Sequence, residues 1–367
     1  MYSGIRYLKK GAIIVLVLVL VSPLIRTGSW YETREENRFW QPKIKSGSLS
    51  VDYSPEQVLS DIERLGLNTI TVPVMVLVEN VRSSYMELDR ESVDKAVNLI
   101  QILKKSGIGV ILEPYPWIDG GRVYETVWDP EDPRIFFQQW RERVIAPLIK
   151  EIAIPLRTEA FCMGANLVKL EGWEGQWLAL LKAIRKLYGG AVTYRVNWWA
   201  TARWEDGAEI KENTRRYDAL LKSGLLAQLD FISIAAYFEL SDKPVNTVKD
   251  LEAALVNSKV YSRGQNILGE IQALHAVFDK PIFFGELGFP RREHAATQPW
   301  NPEPSPVEDG SEQARCFEAY RRTFTMDWFL GFSVFAVGNR GEDKNFYPSE
   351  ESARIIRDWF AKSSNSE

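Results

Sequence analysis

From about residue 40 to about residue 362 the chain alternates without interruption between short apolar runs and amphipathic stretches. Candidate strands fall near residue 48 (SLSV), 68–76 (NTITVPVMV), 109–115 (GVILEPY), 159–164 (EAFCMG), 191–199 (AVTYRVNWW), 230–237 (DFISIAAY), 280–286 (KPIFFGE) and 332–337 (FSVFAV). Between them, apolar residues at helical spacing predict helices near 54–65, 90–106, 133–152, 173–188, 212–226, 247–276, 311–327 and 349–362. Strands that alternate with helices form a parallel sheet, and eight such units form a closed (β/α)8 barrel. The alternative, a doubly wound open sheet, calls for a G-x-G-x-x-G turn after the first strand, and none follows it. Apart from a Pro-rich loop at 299–306, no linker or low-complexity block divides the chain, so residues 31–367 read as one barrel domain.

The first 30 residues differ in kind. Arg6, Lys9 and Lys10 precede an apolar run from Gly11 to Ile25, the charged and apolar regions of a secretory signal. The run is short against the roughly 20 apolar residues of a spanning helix, but no clear A-x-A cleavage site follows it, so residues 1–30 read as a signal peptide or a retained anchor. The basic flank predicts an exported body, secreted or held on the outer face of the cytoplasmic membrane, with the membrane touched only by this segment. The whole chain carries a net charge of −4, and beyond residue 30 there are 41 basic against 49 acidic residues, a net −8. An acidic exported body argues against nucleic acid as a partner. With two His and two Cys, neither pair at metal-ligand spacing, no metal or cofactor is expected, and His275, inside a helical stretch, reads as structural.

In a barrel the chemistry sits where strands run into the following loops. Those positions carry acids, amides and aromatics: Glu79 and Asn80; Glu113, Tyr115 and Trp117; Asn166 and Glu171; Asn197, Trp198 and Trp199; Tyr237 and Glu239; Glu286; Asn339 and Arg340. Glu286 poses the sharpest question, because it ends KPIFFGELG, a run whose apolar residues bury the strand. Carboxylates among Trp and Tyr suit a polysaccharide or oligosaccharide, since aromatic faces stack on sugar C–H surfaces while acids and amides hold hydroxyls. Trp300, in the Pro-rich loop, joins that binding set. Phosphate chemistry would call instead for Gly-rich loops and cations.

At these residues the chain resembles a clan A glycoside hydrolase, most closely family 113, whose described members are β-mannanases. KPIFFGELG resembles the seventh-strand motif bearing the family's nucleophilic Glu. FCMGANL, with the downstream WEGQWLALLKAIRKLYGGAVTYRVNWW, resembles the fourth strand, its helix and the fifth strand. LDFISIAAYF resembles the sixth, whose Tyr lies close to the nucleophile. The resemblance implies Glu286 as nucleophile and Tyr237 as its orienting partner. It also exposes two departures. Where the family places its acid/base Glu, in a pattern like G-T-E-L, this chain reads Gly164-Ala165-Asn166-Leu167, and the eighth strand lacks the Trp expected at the floor of the sugar site. A retaining glycosidase needs two carboxyl groups about 5–5.5 Å apart, and an amide cannot protonate a leaving oxygen. Two readings follow. One is a retaining glycosidase or transglycosylase on a β-linked, mannan-like polysaccharide, with Glu171 as the nearest substitute acid in sequence and Glu113 next. The other is a catalytically degenerate barrel that binds polysaccharide or assists its assembly or export.

Overall fold

The computed structural model describes residues 43–202, 207–340 and 344–361; the expected signal or anchor lies outside them. Nine strands occur among these residues: β1 (Ile44–Leu49), β2 (Thr69–Val78), β3 (Glu87–Leu88), β4 (Gly109–Ile118), β5 (Ala160–Ala165), β6 (Ala191–Val196), β7 (Ile232–Ala235), β8 (Ile282–Leu287) and β9 (Phe329–Val337). All but the two-residue β3, an antiparallel addition to β2, are parallel neighbours in sequence order, and β1 pairs with both β2 and β9. The sheet therefore closes on itself. It is the (β/α)8 barrel that the alternation demands, and closure removes the open-sheet alternative.

The outer ring comprises α1 (Pro55–Leu65), α2 (Arg90–Lys105), α3 (Pro133–Gln139), α4 (Glu174–Leu187), α5 (Ala208–Leu220), α6 (Gly224–Gln228), α7 (Val248–Val256), α8 (Ile267–Phe278), α9 (Gly310–Thr323) and α10 (Glu350–Asp358). Their starts are written in the chain. Ser54, Asp89, Asp132, Asp309 and Ser349 each accept a backbone N–H of the first turn, and Pro55 and Pro133 fill first-turn positions that need no donor.

Three predicted helices come out differently. The stretch 247–276 is two helices, because the chain leaves α7 at Asn257, makes a Ser258–Gln265 bridge through a turn with Gly264 at φ 65, and restarts where Asn266 accepts the Gly269 N–H. The stretch 212–226 breaks at Ser223, whose hydroxyl caps α6. Beyond α3, residues 140–145 and 148–153 take the wider π-helical ladder on either side of Pro147, which has no N–H to donate.

Inside the barrel, apolar residues (Ile44, Ile111, Phe231, Phe283, Leu330) pack the lower layer. Above them lies a polar tier in which Ser46, Ser48, Thr71 and Ser333 bond to one another, so these buried hydroxyls are satisfied without charge. Closure between β1 and β9 depends on one glycine. Gly331 sits at φ 137, and a Cβ there would lie 1.9 Å from the Ile44 carbonyl oxygen. Gly331→Ala is expected to lower stability by at least the roughly 1–3 kcal/mol of an overpacked core, measured as an earlier urea midpoint; an unchanged midpoint would show that the β1–β9 seam is not this tight.

Candidate active site

Three strands bring the charged cluster together. On β4, period-two alternation puts Glu113, Tyr115 and Trp117 on one face of the strand, separated by Pro114 and Pro116. On β6, Arg195 follows Thr193 into the barrel mouth. Its two terminal nitrogens grip Glu113 at 2.7 Å each, and Nη2 also lies 2.8 Å from Glu286 Oε1. Gly285 makes room for this arginine, since a Cβ there would meet Ser233 Oγ at 2.1 Å and Arg195 Cδ at 2.8 Å.

Glu286 reaches the cluster against the simple alternation of its own strand. Phe283 faces the barrel interior and Phe284 the helix layer, so Glu286 should point outward. Register slips beside it, between Ile234 and Ala235 on β7 and between Phe284 and Leu287 against β9, re-aim the side chain. This answers why an acid ends a buried strand: the strand is buried and the bulge lets the acid out into the mouth. Thirteen per cent of the Glu286 side chain stays accessible, enough for a ligand to touch it. Beneath the cluster a cavity of about 10 Å³ has room for at most one water, so these residues form a closely packed, sealed floor.

Burial pushes the Glu286 carboxyl up to about 7; Arg195 opposes this, the charges of Glu113 and Glu125 add to it, and a hydrogen bond from Tyr237 opposes it again. Burial, then the charge of Glu286, raises the Tyr237 phenol well above its ordinary range, so it remains a donor at neutral pH. Tyr237 is held edge-on by Trp198 at 5.5 Å, Phe335 at 6.3 Å and Phe346 at 6.3 Å. Phe335 therefore supplies an aromatic on the eighth barrel strand, where no Trp stands.

Asn166 follows β5 directly and lies in the left-handed region, φ 56, where Asn is among the best-tolerated non-glycine residues. Its Nδ2 donates to Glu125 Oε1 at 2.9 Å, and its Oδ1 is buried without a partner. Glu125 was not among the residues expected from sequence, because it lies in the β4–α3 loop rather than at a strand end. The signal available was RVYETVW, an acid bracketed by aromatics. Trp128 anchors that loop. It is fully buried between Phe136 and Trp140, and its ring N–H donates to the Ser83 carbonyl. Removing such a core Trp costs about 3–5 kcal/mol. Backbone bonds from Asp129 to Val81 and from Glu131 to Arg82 fix the rest of the loop. Burial raises the Glu125 carboxyl, and the Asn166 hydrogen bond partly offsets this.

Other expected residues are placed elsewhere. Glu171 is held in a bidentate ion pair by Arg216, which also donates to the Asn197 and Trp198 carbonyls, so both of its oxygens are engaged. Trp199 is core, stacked on Tyr217 and bonded through its ring N–H to Glu270, so it offers no face to a sugar. Glu239 pairs with Arg263, and the exposed Trp300 stands beside it at 3.5 Å. Asn339 donates to Asp52 at the rim. Trp117 and Glu79 line an open groove of about 630 Å³ with Tyr85, Glu87 and Asp119, and the Tyr115 ring lies 6.4 Å from that of Trp117. His275 stacks on Trp328 and bonds the Lys280 carbonyl, away from this mouth.

The family model of glycoside hydrolase family 113 matches residues 39–353. The chain belongs to glycoside hydrolase family 113. Among solved structures, a family 113 β-1,4-mannanase in complex superposes with a TM-score of 0.64 at 20% identity, over 86% of this chain and 98% of that one. The family 113 β-mannanase from Alicyclobacillus acidocaldarius in complex with ManMIm gives 0.66 at 16% identity, over 86% and 96%. A family 5 mannosidase from Rhizomucor miehei gives 0.55 at 9%, over 86% and 92%. No curated protein matches the chain closely in sequence. At these identities the structures speak to fold, and this family 113 barrel shares it.

The raised Glu286 carboxyl has a consequence for stability. Between about pH 4.5 and 7 it is protonated in the folded protein and ionised in the unfolded chain. The native state then binds more protons, so this group makes stability fall as pH rises, by up to about 1.4 kcal/mol per pH unit. Glu286→Gln is expected to flatten that slope. Urea denaturation at several pH values across the window checks it, and an unchanged slope would mean an ordinary carboxyl.

Proposed function

We propose that this protein is a retaining glycoside hydrolase of a β-1,4-mannan or its oligosaccharides, with Glu286 as nucleophile. The observation that carries the reading is the placement of Glu286: an accessible carboxyl on a sealed floor, held by the Arg195 guanidinium and the Tyr237 hydroxyl. These two donors fix the carboxylate and offset the cost of its burial, which keeps it ionisable near neutral pH. Attack by Glu286 on the anomeric carbon gives a covalent glycosyl-enzyme, and water then releases the sugar with its configuration retained. The mannan assignment rests on family membership and on the mannan-active neighbours of the same fold. The groove at Trp117 and the exposed Trp300 supply apolar faces on which further sugar units can lie.

Binding without turnover needs no ionisable acid at the centre, and burying a carboxyl carries a desolvation cost that a pure binder gains nothing by bearing. That favours the enzyme over the degenerate binder. Wild-type protein is expected to hydrolyse β-1,4-mannohexaose, with the β-anomer appearing first in proton NMR. Glu286→Gln should abolish turnover while leaving mannohexaose binding by calorimetry within a few-fold. The acid limb of kcat/KM is expected near pH 7, as Glu286 must be ionised to attack. Full activity in Glu286→Gln removes it as nucleophile; an α-product removes the retaining mechanism. The basic N-terminal flank further supports action outside the cytoplasm, and fractionation of the native host that finds the body in the cytoplasm would refute that.

A further inference from the structure

Every other carboxylate considered as a partner for Glu286 is tied to a cation. Glu113 is clamped by Arg195, and Glu171 by Arg216. A carboxylate whose two oxygens are both taken up by a guanidinium fork has none free to face a leaving group. Glu125 has no ion-pair partner among the described residues. It is half-buried on an anchored loop, beside the end of the fourth barrel strand, and close enough for its charge to act on both Glu286 and the Tyr115 phenol.

Building on the glycosidase reading, we infer that Glu125 is the general acid/base, delivered from the β4–α3 loop to the place beside Asn166, and that Asn166 positions it. The amide suits both states of its partner. Nδ2 donates to the Glu125 carboxylate, and the unpartnered Oδ1, after an amide flip, accepts from the carboxylic acid. The two carboxyls have different partners: Arg195 and Tyr237 offset the burial of the Glu286 anion, while Glu125 has the Asn166 amide.

The steps balance. In the first, the Glu125 O–H breaks and its proton passes to the glycosidic oxygen as the C1–O bond cleaves, while a Glu286 oxygen bonds to C1; a neutral alcohol leaves. In the second, the Glu125 carboxylate takes a proton from water, the water oxygen bonds to C1, and the C1–Glu286 bond breaks. Both side chains return to their starting states.

The test compares Glu125→Gln and Glu125→Ala with wild type on β-1,4-mannohexaose and on 2,4-dinitrophenyl β-mannobioside, whose leaving group needs no proton. Because proton donation contributes about 10²–10⁴-fold, kcat/KM on mannohexaose should fall at least 100-fold and on the dinitrophenyl glycoside less than about 10-fold. The basic limb of the pH profile should vanish. Sodium azide should speed Glu125→Ala on the dinitrophenyl substrate and give the β-glycosyl azide. Asn166→Ala should shift the basic limb while retaining turnover, as a positioning residue would. Equal losses on both substrates, or no azide product, would overturn the role of Glu125 while leaving Glu286→Gln to judge the glycosidase reading. Carboxyl ¹³C NMR titration decides even if no substrate is turned over. A signal lost in Glu125→Gln that titrates above the ordinary carboxyl range supports the inference; one that titrates as an exposed Glu refutes it.

Discussion

The mouth of this barrel depends on the Arg195 guanidinium. It is buried, and burying a lone cation costs several kcal/mol; the cost is offset because two carboxylates from the third and seventh barrel strands meet it. Their attraction raises its pKa further, so it is a permanent cation at any working pH. Substituting Arg195 with an uncharged residue would leave Glu113 as an unpaired buried charge. The residue is thus a brace between strands as well as an electrostatic partner for Glu286. Lysine would not replace it, because one ammonium cannot make the fork that grips Glu113 while leaning on Glu286.

Around that cation the site contains three carboxyls and a single guanidinium, Glu286 and Glu125 each feeling the charge of Glu113. Coulombic repulsion in a poorly solvated site disfavours each added negative charge, most where the compensation is weakest. The neutral Ser/Thr tier beneath adds no counter-charge. The proton inventory is therefore set at the mouth itself, by which carboxyl has a cationic partner and which has only an amide.

The fold was legible because each unit repeats one instruction: an apolar strand, a polar cap, an amphipathic helix. Ser54-Pro55 and Asp132-Pro133 announce their helices in two residues. The misread boundaries at 257–266 and at 223 are places where a side chain makes a local hydrogen bond that periodicity does not encode. At the site, Glu113, Tyr115, Trp117, Tyr237 and Glu286 could be read from strand ends. Glu171 and Trp199 looked equivalent, but Arg216 holds the first and the helix layer takes up the second, and both facts depend on tertiary partners. Glu125 escaped for the opposite reason. It lies on no strand, and its position depends on Trp128, a residue that reads in sequence as one more aromatic.

The left-handed backbone at Asn166 couples two positions that are 41 residues apart in the chain. A Glu at 166 would carry a bulkier side chain into a conformation that costs most L-residues about 1–2 kcal/mol. It would also place a second carboxyl within hydrogen-bond reach of the first, where one of the two must stay neutral. An acid at one position thus disfavours an acid at the other. Moving an acid from residue 125 to residue 166 therefore requires exchange at both positions, through a state that holds either two acids or none.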